Sequence, residues 1–412
     1  MKINIDRVIS RLEEIYQCGK QDDGTYTRMA YSKEDIKGRE TFMNYFRNLG
    51  LTPRIDAAGN IVVRKEGKNP SLPSIMMGSH LDTVPDGGRY DGVVGCIGGL
   101  EVLETLTEAG YETEHPLEVV VFTDEEGFRF GNGLLGSSAI CGINPEIHED
   151  DQDINGEKRS DVMKSYGITV DRVEEAKREP QSVHCFLELH VEQGASLYGK
   201  GIPIGIVSSI AGVSRYEITI EGEANHAGST MMKDRKDALV AAAGFIRKVP
   251  QIVEECGNEY TVATVGTMKV VPNSVNVVPG SCTFNLEIRD QDAKVISQIE
   301  KKAKEYLKEL EEKHEFSCKL TAVSYHKPAP MSDWVKEKIE CAVKEEGYEY
   351  TVIPSGAFHD SLIMTEVFPT GMIFVPSIGG ISHSRYENTD KEDIQKGCNV
   401  LLQTVLGVDC MN

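Results

Sequence analysis

SIMMGSHLDTVPDGGRYDGVVGCIGG, residues 74–99, decides how the rest of the chain is read. An uncharged apolar run, SIMM, reads as a buried strand, and His80 follows it directly. In open α/β sheets the carboxyl ends of strands are where ligands bind. Asp82 lies two residues on and can take the imidazole's other N–H. A glycine-rich turn then folds the backbone back, so that Asp91 approaches the same strand end. One histidine with two aspartates does not by itself separate a site from a solvated loop.

Working outward, NIVVR (60–64), LEVVVFTDEEG (117–127), CFLELHVEQG (185–194) and GMIFVPSIGG (371–380) are further short apolar strands, separated by helical stretches. The helix expected over 33–50 ends at Gly50. This alternation predicts an α/β fold with helices on both faces of a sheet. The acidic, weakly periodic stretch 137–183 is read as a helical excursion between strands. From Val213 the pattern changes. SRYEITIEGE (214–223), a helix over 237–256, YTVATVGTMKVV (260–271), SCTFNLEIRD (281–290), a long charged helix over 293–315 and FSCKLTAVSYH (316–326) spell β-α-β-β-α-β, the split βαβ arrangement of a ferredoxin-like unit. The expected organisation is a first domain made of 1–211 and 327–412, interrupted by a second over 212–326.

The adjacent acids Glu125 and Glu126 follow a buried strand immediately. They repel each other unless a cation lies between them; in a two-metal hydrolase one binds metal while its neighbour accepts a proton from water. As first-turn residues of a helix they would need no metal. His190 ends one strand, and His383 lies in a glycine-bounded loop after another. A lone histidine is more often structural. Here two join His80, Asp91 and Glu126, all just beyond strands of one expected sheet. Nitrogen and oxygen donors without thiolates suit zinc, manganese, cobalt or nickel.

Bulk composition restricts the alternatives. The chain has 412 residues, 40% hydrophobic and 26% charged, and a formal net charge of −21, with no basic block that could track phosphates, so nucleic acid is not expected as a partner. An anionic substrate would need a locally positive pocket. The amino terminus lacks the uncharged core of a signal peptide and no apolar run approaches the ~20 residues of a membrane span, so a cytoplasmic protein is expected. The ten cysteines are scattered without a C-x-x-C pair and are read as reduced.

GSHLDTVPDGGRYDG, TDEEGFRFG, LHVEQG, NHAGST, NVVPG, LEIRD, SGAFHD and ISHS occur in this order, and together they resemble the amidohydrolases related to dinuclear metallo-carboxypeptidases. The resemblance is specifically to the branch of allantoate amidohydrolase and N-carbamoyl-L-amino-acid hydrolase, and it covers nearly the whole chain. It implies a zinc-peptidase-like mixed sheet, an interrupting lid and dimerisation domain, a homodimer, and two divalent ions per subunit acting on a small ureido acid. Residue by residue, it implies that Asp91 bridges the ions, that His80 and His383 bind one, and that Glu126 and His190 bind the other or close the pair. Glu125 matches the general base, Asp82 the carboxylate that orients His80, and Gln193 a substrate contact. Asn276 and Arg289 match the residues that hold the substrate carboxylate, which supplies the positive charge required above. His226 matches a histidine lent across the dimer interface to the developing oxyanion. Arg215 resembles the allantoate enzymes and makes allantoate the expected substrate, with an N-carbamoyl-L-amino acid as the alternative. Phe358 departs from the glycine usual in SGAGHD and narrows that spot. More remote alternatives are a dipeptidase or aminoacylase, and a silent metal-binding scaffold.

Overall fold

All seven residues of Ser74–His80 are buried, as are all six of Leu117–Phe122 and of Thr370–Val375. Strands without a polar face must be covered on both sides, as in a parallel sheet between helical layers. The computed structural model, which describes residues 1–410, has this architecture. It falls into two compact units, Met1–Ser208 together with the chain from Pro330 onward, and Ser209–Ala329.

Helices α1 (Ile5–Gly19) and α2 (Lys33–Asn48) precede β1 (Arg54–Ile55), β2 (Ile61–Lys65) and β3 (Ser74–His80). There follow α3 (Val93–Glu108), β4 (Leu117–Phe122), the short α4 (Leu135–Cys141) and α5 (Arg159–Ser165), β5 (Val183–Val191), α6 (Ser196–Lys200) and β6 (Ile204–Ile210). The second unit carries β7 (Gly212–Glu221), β8 (Asn225–His226), α7 (Ala238–Cys256), β9 (Val262–Thr264), β10 (Met268–Val271), β11 (Val277–Val278), β12 (Ser281–Asp290), α8 (Ala293–His314) and β13 (Ser317–His326). The chain returns through β14 (Ala329–Pro330), α9 (Asp333–Glu346), β15 (Tyr350–Ser355), α10 (Asp360–Met364), β16 (Thr370–Val375) and α11 (Lys391–Asp409).

The nine-stranded sheet runs β1-β2-β4-β3-β5-β16-β6-β14, with β15 paired to β6. Its centre, β4-β3-β5-β16, is parallel, and β2 and β6 flank it antiparallel. Successive side chains of β3 enter opposite layers. Ile75 and Met77 join Leu12, Leu100, Ile339 and Leu401 from α1, α3, α9 and α11, whereas Met76 joins Ile140, Cys141 and Met364 from α4 and α10. Strands β6 and β15 were not expected from the sequence. β6 contains Gly205 and two serines, and β15 contains Pro354, a residue confined to sheet edges and bulges. The 137–183 stretch packs as short helices and turns against Ala30, Tyr31 and Ala58 of the same unit.

In the second unit the sheet order is β10-β12-β7-β13 with β9 also on β12, all antiparallel. This is the split βαβ arrangement. The single strand expected over 260–271 is broken in two. Asn285 turns its Oδ1 to the backbone N–H groups of Gly266 and Thr267, at 2.9 and 2.6 Å, and so replaces the ladder there. On one face of this sheet Tyr216, Ile218, Ile220, Phe284, Leu286 and Ile288 form a core with α7 and α8.

Among the described residues no helix is long and apolar enough to cross a membrane. All ten cysteines are free thiols and six of them are buried.

Gly78, in the middle of β3, has φ 156°, and a Cβ there would stand 1.9 Å from the carbonyl oxygen of Val120 on β4. Gly78→Ala must therefore separate the two strands that carry His80 and Glu125. It should cost about 3 kcal/mol or more, read as a lowered urea midpoint; an unchanged midpoint would contradict this packing.

Candidate metal centre

Four loops leave the carboxyl ends of the parallel strands. His80 is the last residue of β3, Glu125 and Glu126 follow β4, His190 lies one residue before the end of β5, and His383 lies in the loop after β16. Sequence-distant side chains meet because adjacent parallel strands all end on one edge. Asp91 is brought in by the turn before α3 and stands at the centre. Its Oδ1 lies 3.1 Å from His190 Nε2 and 3.5 Å from His80 Nε2, and its Oδ2 lies 3.2 Å from His383 Nε2. Glu126 reaches His383 Nε2 at 3.6 Å, and Glu125 reaches His80 Nε2 at 3.6 Å. Of the four three-residue groups of potential ligands among the described residues, two share the Asp91 carboxylate, His80 with Asp91 and His190 on one side and Asp91 with Glu126 and His383 on the other. The resemblance implied a different partition, with His80 beside His383. Neighbouring strands β3 and β5 pair His80 with His190, and His383 arrives from the opposite side.

The imidazoles are preset as ligands. His80 Nδ1 lies 2.9 Å from the carbonyl of Asp82, and His190 Nδ1 lies 2.9 Å from the carbonyl of Val191. A carbonyl only accepts, so each ring gives its Nδ1–H outward and presents Nε2 to the centre. The Asp82 carboxylate was expected to orient His80. Its nearest oxygen stands 3.8 Å from His80 Nδ1, while the two oxygens accept the backbone N–H groups of Glu125 at 3.3 Å and Glu126 at 3.1 Å. Asp82 orients His80 through its main chain and the paired acids through its side chain.

Burial would raise the Asp91 carboxyl, but His190, His383 and His80 outweigh it and hold it well below the usual range. Burial, opposed by His80 and reinforced by Glu126, pushes Glu125 well above its ordinary value. Burial and the charge of Asp91 push Glu126 up to about 7. The hydrogen bond to Asp91 lifts His383 to about 9. Three desolvated carboxylates within reach of three imidazoles are short of positive charge, and cations placed among nitrogen and oxygen donors relieve that. The donor set fits a zinc-type or manganese-type centre.

Glu387 escaped the sequence reading. Its buried carboxylate accepts from the backbone N–H groups of Tyr90 at 2.8 Å and Asp91 at 3.1 Å, and from Ser382 Oγ at 2.7 Å. It therefore fastens the loop that carries Asp91 to the loop that carries His383. Only its position four residues after His383 could have signalled it. Glu188, in the middle of the buried strand β5, was also overlooked; it accepts from Ser79 Oγ and Ser361 Oγ at 2.7 and 2.6 Å. Gly92, with φ 66°, is required because a Cβ there would lie 2.5 Å from His80 Nε2. His359 is buried, stacks edge-on against His190 with ring centroids 4.4 Å apart, and has its Nε2 3.0 Å from Ser355 Oγ. Gln193 gives its Nε2–H to Asp91 Oδ2 at 2.8 Å, while its Oε1 is buried without a hydrogen-bond partner.

The remaining expected site residues belong to the second unit. Arg215 and Arg289 meet on one carboxylate, Glu287, at 2.6 and 2.8 Å. His226 is exposed on the two-stranded ribbon β8-β11, and its Nδ1 accepts the N–H groups of Gly228 and Ser229 at 3.1 and 3.2 Å, so in the neutral ring Nε2 carries the proton. Asn276 is on the same ribbon, its carbonyl accepting the N–H of Ala227 at 2.9 Å.

A parallel-centred α/β sheet with a nitrogen and oxygen donor cluster at its carboxyl edge defines a metal-dependent hydrolase class, and comparison with known proteins agrees. The family described as peptidase family M20/M25/M40 matches residues 76–407. The N-carbamoyl-L-amino acid amidohydrolase of Geobacillus stearothermophilus is 40% identical over 406 residues, covering 97% of each chain. The allantoate amidohydrolase of Escherichia coli (strain K12) is 33% identical over 384 residues, covering 93% of each. A solved hydantoinase/carbamoylase-family amidase from Burkholderia multivorans superposes with a TM-score of 0.91 at 33% identity, over 100% of this chain and 99% of that one. The chain belongs to the M20/M25/M40 family and, within it, to the branch of the carbamoyl-amino-acid and allantoate amidohydrolases. It is a hydrolase of non-peptide C–N bonds.

Glu387→Ala removes the acceptor that joins the two loops. Activity should fall by at least about tenfold with a loss of roughly 1–3 kcal/mol in stability, the cost of leaving buried donors unpaired. Thermal unfolding and ammonia-release rates measured together test this, and a fully active, equally stable variant would count against the fastening role.

Proposed function

We propose that this hydrolase cleaves the ureido C–N bond of an N-carbamoyl-L-amino acid, releasing the amino acid, ammonia and carbon dioxide. The observation that carries the reading is the meeting of two three-donor groups on Asp91, with the raised carboxyl of Glu125 beside His80. Two divalent ions, zinc or manganese with cobalt or nickel also suited, would be held by His80, Asp91 and His190 and by Asp91, Glu126 and His383. When bound, such ions polarise a carbonyl and acidify water near neutral pH.

The side chains do the rest. Glu125, buried beside His80, takes a proton from the attacking water at an oxygen of its ionised carboxylate and returns it to the departing nitrogen. His226 donates from Nε2 to the carbonyl oxygen as negative charge develops; following the resemblance, we assign it to the site of a second copy in a homodimer. Arg289 and Asn276 hold the substrate carboxylate, Arg289 through its planar fork of N–H donors. Gln193 braces Asp91 and keeps its Oε1 for an N–H of the ureido group.

The preference for allantoate expected from Arg215 is not retained. Arg215 gives its Nε–H to Glu287, and the relative at 40% identity is named for N-carbamoyl-L-amino acids, against 33% for the allantoate enzyme. Ammonia release should therefore be faster from N-carbamoyl-L-amino acids than from allantoate, and dipeptides should not be cleaved to free amino acids, when the protein is supplied with manganese, zinc or cobalt. Faster turnover of allantoate would reverse the assignment, and full metal loading without turnover of any ureido acid would leave only a scaffold. Chelation should abolish activity and manganese restore it. Glu125→Gln should keep its ions yet lose about 10²–10⁴ in kcat; normal turnover of a metal-loaded Glu125→Gln protein would remove the proposed base.

A further inference from the structure

Glu125 is fixed at both ends of its own residue. Its N–H is given to Asp82 Oδ1 at 3.3 Å, and its carbonyl accepts the N–H of Leu134 at 2.9 Å. The loop between, 127–133, reads GFRFGNG and rests directly on this peptide. A Cβ at Gly133 would stand 2.1 Å from the Glu125 carbonyl oxygen, and one at Gly127, where φ is 62°, would stand 2.2 Å from the Gly133 nitrogen. The glycines permit this close approach, but they also give the loop the most backbone freedom to lose on folding. Its position therefore depends on what grips its side chains.

The grip comes from the stretch between α4 and β5. Gln152 pairs with Lys158, and the N–H of Asp153 reaches the carbonyl of Glu157 at 2.9 Å, which closes a small hairpin leading into α5. Arg129 of the loop gives its Nε–H to Asp153 Oδ2 at 2.8 Å. Arg159, fully buried at the start of α5, answers from the hairpin side. Its Nη2 donates to Asn132 Oδ1 at 2.8 Å, its Nε donates to Asp151 Oδ2 at 3.0 Å, and its guanidinium carbon lies 4.0 Å from the centre of the Phe130 ring. A planar fork holds both acceptors at once, and the ring against it fixes its plane. Asn132 in turn gives Nδ2–H to the carbonyls of Pro145 and Glu146, each at 3.3 Å. Asn132 is thus pinned from two sides, one residue before the glycine that touches the Glu125 carbonyl.

We propose that Arg159 is a positioning residue for the hydrolysis: through Asn132 it holds the loop against the Glu125 peptide and so sets where the base carboxylate stands. This rests on the reading of Glu125 as the general base. Arg159 acts through another residue and is not itself catalytic. A reacting group displaced by about 1 Å loses on the order of a hundredfold in the chemical step. The loop holds the base and not the substrate carboxylate, so the loss falls on kcat rather than on KM.

The test follows ammonia release from an N-carbamoyl-L-amino acid with manganese supplied. Asn132→Ala should lower kcat by about tenfold to a hundredfold, with KM within about twofold of wild type and the bound metal retained. Arg159→Met should do the same. Both changes cut one line of contact, so the double variant should fall no more than about twofold below the weaker single variant. In a Glu125→Gln background, where the base is already gone, Asn132→Ala should remove less than about twofold more, whereas a merely structural lesion would cost the same in both backgrounds. Asn132 is only half-buried, so its arm stays readable even where Arg159→Met does not fold. If Asn132→Ala keeps wild-type kcat, or if the two single losses multiply in the double variant, the positioning role is wrong while the base reading survives. If Glu125→Gln turns over normally, or if the wild-type protein hydrolyses no ureido acid, the base reading fails and this proposal falls with it.

Discussion

A single desolvated carboxylate, that of Asp91, is the point on which the first unit converges. One oxygen faces His80 and His190, the other faces His383, and the three rings together hold the group ionised against burial. An anion in this position is tolerable only with positive charge on both sides. Much of the surrounding construction follows from that requirement. The Nδ1 atoms of His80 and His190 are turned to backbone carbonyls so that Nε2 faces inward, Gly92 is bare where a Cβ would strike His80, and Glu387 and Gln193 hold the aspartate's loop and its Oδ2.

The acids around this centre are divided by what they touch. Asp82 is tied by two backbone N–H groups and serves as a brace for the turn carrying Glu125 and Glu126. Glu387 is likewise satisfied, by two N–H groups and a hydroxyl. Glu125 is buried beside Glu126 and raised well above its ordinary value, which suits a group that must take up and release a proton. The assignment of brace, ligand and base among neighbouring carboxylates is therefore a matter of hydrogen-bond count and desolvation rather than residue type.

The second unit follows the same economy at lower burial. Period-two alternation sends one set of side chains into the core under α7 and α8 and leaves Arg215, Glu287 and Arg289 on the other face, where one acid orders two arginines. His226 is held in a defined tautomer by two main-chain donors although its side chain is exposed. Both are arrangements of surface polar groups with fixed orientation, which bare exposure would not provide.

The largely apolar runs of β3, β4, β5 and β16 made the two-sided α/β sheet legible in the sequence, because only a doubly covered strand can dispense with a polar face. The residues at their carboxyl ends were legible for the same reason, and the split βαβ order of the second unit could be read from its alternation. Strands β6 and β15 were not legible, since Gly205 and Pro354 are breakers in sequence that a sheet tolerates next to particular neighbours. Nor was the partner of each donor. That His80 groups with His190 and not His383 depends on β3 and β5 being adjacent, that Asp82 acts on His80 through a carbonyl depends on a backbone turn, and that Glu387 reaches Asp91 depends on two loops far apart in the chain lying side by side. Local composition determined which chemistry was available and at which strand ends. Strand adjacency and loop closure, which join residues separated by up to about three hundred positions, decided which atom faces which.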